Sequence, residues 1–231
     1  MPPVAVLAGG LATRLHPLTE KLPKALIEVA GEPFVGHQLR LLRREGIDRV
    51  VLCLGFLGEM VRDAIGGGER YGLDVAYSFD GDKLLGTGGA LKQAASLLGA
   101  EFFVLYGDSY LDIAYPPVYA AFRTSGAPAL MTVFRNEGRW DTSNVLFDGA
   151  RVLRYDKRNP SKEMGYIDYG LGLFTRKVIA DWPEEAFDLA DLYAALAEQG
   201  KLAGYEVSRR FYEIGTPNGL AETDAYLRGR Q

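Results

Sequence analysis

The sequence of 231 residues is short of the residue types that usually announce a function by themselves. It has one cysteine and two histidines. A lone thiol excludes an internal disulfide and predicts a reducing, cytoplasmic setting. Cys53 stands inside the apolar run Val50-Val51-Leu52-Cys53-Leu54, so a buried strand position is expected for it and not a nucleophile's. His16 and His37 lack any metal-ligand spacing, and neither CxxC nor HExxH occurs, which excludes the common zinc patterns. No apolar run approaches the roughly 18 residues that span a bilayer, and no basic stretch precedes one at the N-terminus. Neither a membrane span nor a leader is therefore expected. Lys and Arg number 26 against 30 Asp and Glu, a net charge of −4, so the basic surface that a nucleic acid needs is missing too. There is no internal repeat, low-complexity tract or long linker.

What is present is a chain 48% hydrophobic and 24% charged, with 28 glycines, able to bury a core without staples. Short continuous apolar runs at 3–8, 49–54, 74–79 and 101–106 read as buried strands. Between them, helical spacing predicts helices at 34–44, 59–65 and 88–98, and 25–29 is a further short apolar stretch. The second half is more mixed. Strands are expected at 128–135, 144–147, 151–155, 167–174, 204–208 and 211–214, with Asp148-Gly149 as a hairpin turn. Helices are expected at 188–199 and from Pro217 to about Leu227. The fold class predicted is α/β: a Rossmann-like, mostly parallel central sheet with helices on both faces and antiparallel additions in the second half. One domain is expected over 1–231, divided into halves at about residue 110.

The densest local signal is Leu7-Ala8-Gly9-Gly10, then Thr13-Arg14-Leu15, then Pro23-Lys24. A strand that ends in a glycine-rich loop leaves N–H groups free to cradle phosphate oxygens, and glycine lets a nucleotide approach the backbone. Arg14 and Lys24 add two positive charges beside it. No Gly-Lys-Ser/Thr follows, so it is not a P-loop, and the spacing fits a dinucleotide fingerprint poorly. On these residues alone, a surface turn with two solvated basic side chains is an equal alternative.

Residues 7–33 resemble the opening signature of the sugar-1-phosphate nucleotidylyltransferases: Leu-Ala-Gly-Gly-x-Gly-Thr-Arg-Leu, then Pro-Leu-Thr, Pro-Lys and Gly-x-Pro. Only the third glycine departs, being Ala12. The resemblance continues at Leu85-Gly86-Thr87-Gly88-Gly89-Ala90, similar to the family's second glycine turn, and at Leu105-Tyr106-Gly107-Asp108-Ser109, similar to its metal-binding Gly-Asp. Tyr155-Asp156-Lys157 resembles an acid-Lys pair that grips the sugar phosphate. Ile167-Asp168-Tyr169-Gly170 takes the place of an Asn-x-Gly strand, with Asp168 where asparagine is usual. Phe211-Tyr212-Glu213-Ile214-Gly215-Thr216-Pro217 resembles an Asp-x-Gly-Thr-Pro motif in which Glu213 replaces the aspartate.

The resemblance implies transfer of a nucleotidyl group from an NTP to a sugar 1-phosphate with release of pyrophosphate. It implies nucleotide contacts from Leu7, Ala8, Gly9, Gly10, Thr13, Gly86, Thr87 and Gly88, and catalytic roles for Arg14 and Lys24. Sugar-phosphate contacts are implied for Lys157, Asp168, Gly170 and Asn144, and a Mg²⁺ ion held by Asp108 and Glu213. On this reading 1–110 is the NTP-binding half and 111–231 the sugar-phosphate half, in a monomer or homodimer with no nucleic-acid or membrane partner. The glycine turn and short length resemble bacterial enzymes that transfer guanylyl groups to mannose- or heptose-type 1-phosphates. Uridylyl or thymidylyl transfer to muramic-acid-type or glucose 1-phosphates stays open. So does a non-catalytic nucleotide-sugar sensor on the same fold, favoured by Ala12 and Glu213. A glycosyltransferase would use Asp80-Gly81-Asp82 as its metal motif, and a dehydrogenase lacks the expected acidic residue.

Overall fold

The computed structural model describes residues 1–10, 13–15, 17–81, 83–136 and 138–230. In chain order it contains β1 (Val4–Leu7), β2 (Glu28–Val29), β3 (Glu32–Pro33), α1 (Phe34–Arg44), β4 (Arg49–Leu54), α2 (Gly58–Ile65), β5 (Asp74–Phe79), α3 (Gly86–Ala94), β6 (Glu101–Tyr106) and β7 (Ser109–Tyr110). There follow α4 (Tyr115–Ser125), β8 (Ala129–Arg135), β9 (Val145–Phe147), β10 (Val152–Tyr155), β11 (Tyr166–Thr175), α5 (Arg176–Ala180), α6 (Leu189–Glu198), β12 (Leu202–Val207), β13 (Tyr212–Glu213) and α7 (Pro217–Arg228).

The continuous apolar runs become neighbouring parallel strands because both of their faces are covered. β1 lies between β4 and β6, parallel to each, with Leu7 in register with Cys53 on one side and Tyr106 on the other. Alternate side chains enter opposite layers. Val4, Val6, Val50 and Leu52 pack with Leu39 and Leu42 of α1, and Ala5, Val51 and Cys53 pack with Leu91 and Ala94 of α3. The main sheet has nine strands. It runs β10-β9-β11-β6-β1-β4-β5, with β8 paired to β11 and β12 parallel to β8. The expected class is borne out, including the antiparallel additions, since β11 runs antiparallel to β6, β8 and β9.

Two features of this topology position a site. The chain passes from β1 through β4 to β5 on one side, then returns to β6 on the other, so the carboxyl ends of β1 and β6 flank a topological switch point. β11 also shifts register against β8 between Asp168 and Gly172, where Gly170 takes φ +102°; a bulge of this kind re-aims the side chains around it.

Several elements differ from the sequence reading. No element was expected over 115–125, where α4 forms; its Pro116 and Pro117 sit in the first turn, where the missing N–H groups have no helical partner to lose. The short α5 was not expected either. The apolar stretch 25–29 divides into a single 3-10 turn, Lys24–Leu26, and the two-residue strand β2. The β2–β3 hairpin then turns through Ala30 and Gly31, both at positive φ. α3 begins at Gly86 and ends at Ala94. Among the described residues no helix is long and apolar enough to cross a membrane.

Candidate active site

A cavity opens at the switch point, lined by Leu7, Ala8, Gly9 and Gly10 beyond β1, by Gly107 and Asp108 beyond β6, and by Lys24. The chain's own packing dictates two of these glycines. A Cβ at Gly107 would lie 2.7 Å from the Leu7 carbonyl oxygen, which accepts the Gly107 N–H at 2.9 Å. A Cβ at Gly9 would meet the backbone nitrogen of Gly55 at 3.0 Å, whereas one at Gly10 would face open space. Ala12 and the Thr13 side chain lie outside the described residues; the Thr13 backbone opens the turn Thr13–Leu15.

Lys24 and Asp108 meet in this cavity. The Lys24 Nζ donates to Asp108 Oδ2 at 2.9 Å, and the two side chains are 16% and 31% exposed, open enough for a ligand to reach both. The β7–β13 pairing sets Glu213 opposite Ser109, and the Ile214 N–H donates to the Asp108 carbonyl at 2.9 Å. Gly215 is the point of convergence. A Cβ there would lie 2.7 Å from Glu213 Oε2, 3.1 Å from Arg14 Nη2 and 3.3 Å from Lys24 Nζ. Four sequence-distant predicted residues are thus brought together, Arg14 from the exposed side. The extra methylene of Glu213 is taken up by folding its carboxylate over the start of α7, where it accepts the Gly215 N–H and, at 2.7 Å, the Thr216 hydroxyl.

Asp108 and Glu213 suit a hard divalent cation. Each offers carboxylate oxygens with spare lone pairs, and an ion of the magnesium type uses one or two carboxylates and completes its shell from substrate phosphates. Among the described residues no group of three or more His, Cys, Asp or Glu is poised for a metal, so an all-protein cage is not what this site provides.

The second glycine turn divides at the cavity wall. Gly86 and Thr87 line the cavity, but Gly88 does not. Its N–H and that of Gly89 both donate to the Phe187 carbonyl, at 3.0 and 3.3 Å, so these helix-start donors are already used. Side chains are excluded here by the segment before α6: a Cβ at Gly86 would meet the Phe187 carbonyl oxygen and one at Gly88 would strike its ring. Thr87 joins two helices. Its hydroxyl donates to Asp188 Oδ1 at 2.9 Å and accepts the Leu189 N–H at 2.8 Å, tying α3 to the start of α6.

The remaining predicted residues form a second group beside the cavity. Asp168 Oδ1 accepts the Gly170 N–H at 3.0 Å, and Oδ2 faces the Tyr155 hydroxyl at 3.4 Å. Burial pushes this carboxyl above its ordinary value, against the pull of the Lys157 ammonium and the Gly170 N–H. Lys157 is exposed, its Nζ 5.5 Å from the Tyr106 ring centre and 5.8 Å from that of Tyr155. Asn144 is a connector: its Oδ1 takes the Asp168 N–H at 3.3 Å and its carbonyl takes the Asp156 N–H at 3.0 Å. Gly170 packs against Tyr106 and Ser109.

Sequence reasoning missed Tyr106 and Asp80 as cavity-lining residues. Both end parallel strands of the sheet, which was the available signal. Burial raises the Asp80 carboxyl, partly offset by the Leu85 N–H. Asp82, its partner in the weighed Asp-x-Asp pattern, lies outside the described residues. Cys53 also borders the cavity, and burial pushes its thiol up to about 12, the opposite of a nucleophile's tuning.

A family model for nucleotidyl transferases matches residues 4–228. An N-acetylmuramate alpha-1-phosphate uridylyltransferase of Caulobacter vibrioides is 29% identical over 232 residues, covering 96% of this chain and 95% of its own. Its Neisseria meningitidis namesake is 39% identical over 123 residues, about half of either chain. The mannose-1-phosphate guanylyltransferase catalytic subunit beta of Drosophila pseudoobscura is 28% identical over 92% of this chain, which spans 58% of that longer protein. Among solved structures, HddC from Yersinia pseudotuberculosis, also solved with GMP-PN, superposes with a TM-score of 0.83 over 98% of this chain and 100% of its own; at 23% identity this likeness bears on the fold.

Proposed function

Because the chain belongs to the nucleotidyl transferase family, we propose that the cavity between β1 and β6 joins an NTP to a sugar 1-phosphate. The protein is a sugar-1-phosphate nucleotidylyltransferase, and family membership sets aside the glycosyltransferase and dehydrogenase readings. A phosphate oxygen of the sugar 1-phosphate attacks the α-phosphorus, the bond to the β-phosphate breaks, and pyrophosphate leaves with the electron pair. The attacking oxygen is already anionic near neutral pH, so no general base is needed. The barrier is the meeting of two polyanions, which cations and orientation lower.

The observation that carries the residue roles is the convergence of Lys24, Arg14 and Glu213 around Gly215, with Asp108 paired to Lys24. Lys24, held by Asp108, neutralises charge that develops at the α-phosphate. Arg14, on the exposed side, holds the phosphates that depart. Lys157, beside Asp168 and the two tyrosines, orients the sugar phosphate, with Asn144 and Gly170 shaping the strand beneath. Leu7, Ala8, Gly9, Gly10, Gly86 and Thr87 form the nucleotide wall. Asp108 and Glu213 would hold Mg²⁺, which supplies charge neutralisation at the phosphates when bound. The buried, unpaired Cys53 supports a reducing, cytoplasmic setting.

For the substrates, guanylyl transfer to a mannose- or heptose-type 1-phosphate is the first reading. The Caulobacter and Neisseria relatives favour a second, uridylyl transfer to a muramic-acid-type 1-phosphate. Pyrophosphate release measured for four NTPs against a panel of sugar 1-phosphates, with and without a chelator, decides. Activity with GTP that a chelator abolishes supports the first reading. Preference for UTP with a muramic-acid-type sugar establishes the second, and no release with any pair returns the protein to the sensor class.

A further inference from the structure

Gln38 lies in the middle of α1 and is 1% exposed. Its Nε2 donates to two main-chain carbonyls, that of Tyr106 at 3.1 Å and that of Ser109 at 2.8 Å. Those carbonyls bracket the Gly107–Asp108 turn, so one side-chain amide spans the peptide segment on which the Asp108 carboxylate is mounted. Two facing carbonyls fix which way the amide points, since the flipped form would set three oxygens together. Its Oε1 is consequently turned inward, where it is buried and has no hydrogen-bond partner among the described residues. A dry acceptor is unfavourable, and an apolar side chain of similar length would avoid it at this position. What such a side chain could not supply is the pair of donors.

We infer that Gln38 is a positioning residue for Asp108, clamping the turn beyond β6 so that the carboxylate stays aligned on Lys24. The inference rests on the site assigned under Proposed function and adds to it a residue that touches the Gly107–Asp108 segment from α1. The turn's main chain is also held by Gly107 N–H to the Leu7 carbonyl and Ile214 N–H to the Asp108 carbonyl, both at 2.9 Å, while the Asp108 carboxylate itself takes Lys24 at 2.9 Å and the Ser109 hydroxyl at 3.3 Å. Gln38 is the side-chain restraint from the opposite layer. Its own helix is held by the fully buried Phe34, Leu39 and Leu42, which makes it a rigid anchor for a short turn.

The test is Gln38→Met, which removes both donors at nearly constant volume, with Gln38→Glu as the alternative should the first variant not fold. An alignment error of about an ångström in such a site lowers turnover by roughly 10- to 100-fold, and that loss is expected in kcat with both KM values moving far less. In an Asp108→Asn background the same Gln38 substitution should have almost no further effect, because the group it aligns is gone. Independently of activity, hydrogen exchange at the Gly107, Asp108 and Ser109 amides should speed up at least about tenfold, while the core of α1 stays protected. Wild-type kcat in Gln38→Met, an equal loss in the Asp108→Asn background, or unchanged exchange across the turn would each overturn the inference. A wild type without any transferase activity would fail the functional reading instead, and the exchange measurement would still judge the clamp.

Discussion

Asp108 and Asp112 belong to the same segment beyond β6, and their surroundings are opposite. Asp108 shares one ion pair, with Lys24, and keeps 31% of its side chain exposed at the cavity. Asp112 is 3% exposed and enclosed: its carboxylate accepts from Arg44, Arg230 and, at 2.7 Å, the Tyr226 hydroxyl, and it lies 3.1 Å from Arg209, which donates to the Asp112 main-chain carbonyl at 3.0 Å. Burial alone would raise the Asp112 carboxyl, but Tyr226 and the guanidinium groups of Arg230, Arg44 and Arg209 hold it below its ordinary value. Those partners come from α1, from the segment before β13, from α7 and from the residues after it, so Asp112 acts as a clasp for the fold. A carboxylate enclosed by three guanidinium groups and a hydroxyl is closed to a ligand; one paired with a lysine at an open cavity is not.

Substitutions can break that contrast. Lys24→Ala should have the largest effect, roughly a 100- to 1000-fold fall in pyrophosphate release, the usual scale for one preorganised electrostatic group. Its melting temperature should stay close to wild type. A comparable rate loss from Asp112→Asn would erase the distinction between site and clasp.

Asp112→Asn should act on stability. The arginines it leaves are largely half exposed and can return to water, so a loss of about 1–3 kcal/mol in urea unfolding is expected, less than a fully buried pair would show. Turnover measured well below the melting temperature should hardly change. Because the folded state holds the Asp112 carboxyl below 3.8, its contribution is present above that pH and is lost as pH falls through the lowered value. Wild type and variant should therefore converge in acid; a gap that widened there would contradict the clasp.

Asp168→Asn sharpens the comparison with the smallest effect and the opposite sign. Burial raises the Asp168 carboxyl above 3.8, so its ionisation opposes folding: the stability tied to the protonated form is complete below 3.8 and lost as pH rises through the raised value. The asparagine can still accept the Gly170 N–H, so the variant should be more stable by up to about 1 kcal/mol at pH 7, with the difference shrinking toward pH 4. Thermal unfolding across that range checks it. A destabilised variant at pH 7 would mean that the Lys157 ammonium outweighs burial.

Much of the first half could be read from residues alone, because a strand buried on both faces must be a continuous apolar run. β4, β5, β6 and α1 fall within the bounds that periodicity predicts. α4 was not read from the sequence; its Pro116-Pro117 pair would break a helix interior but not a first turn. The glycines at 86, 88 and 89 were legible as a motif, but the packing they permit was not. Their lack of side chains makes room for Phe187 and its neighbours, which approach across a sequence gap that no local window spans. Gln38 carried no motif, and Tyr106 and Asp80 stood in motifs read for other residues or another chemistry, since what matters in each is where a strand or helix delivers it.

By itself the sequence determined the chemistry available: basic side chains and two carboxylates beside glycine-rich strand ends, one inert thiol, and none of the common zinc patterns. It determined the layered α/β fold as well, since apolar periodicity is a local property that burial converts directly into strands and helices. Only the tertiary structure decided which charges meet. Lys24 reaches Asp108, Glu213 turns onto α7, and Asp112 is enclosed while Asp108 stays open, because β6 lies beside β1 and β13 pairs with β7. Charge strength depends on neighbours and on water, and both are set by contacts between residues far apart in the chain.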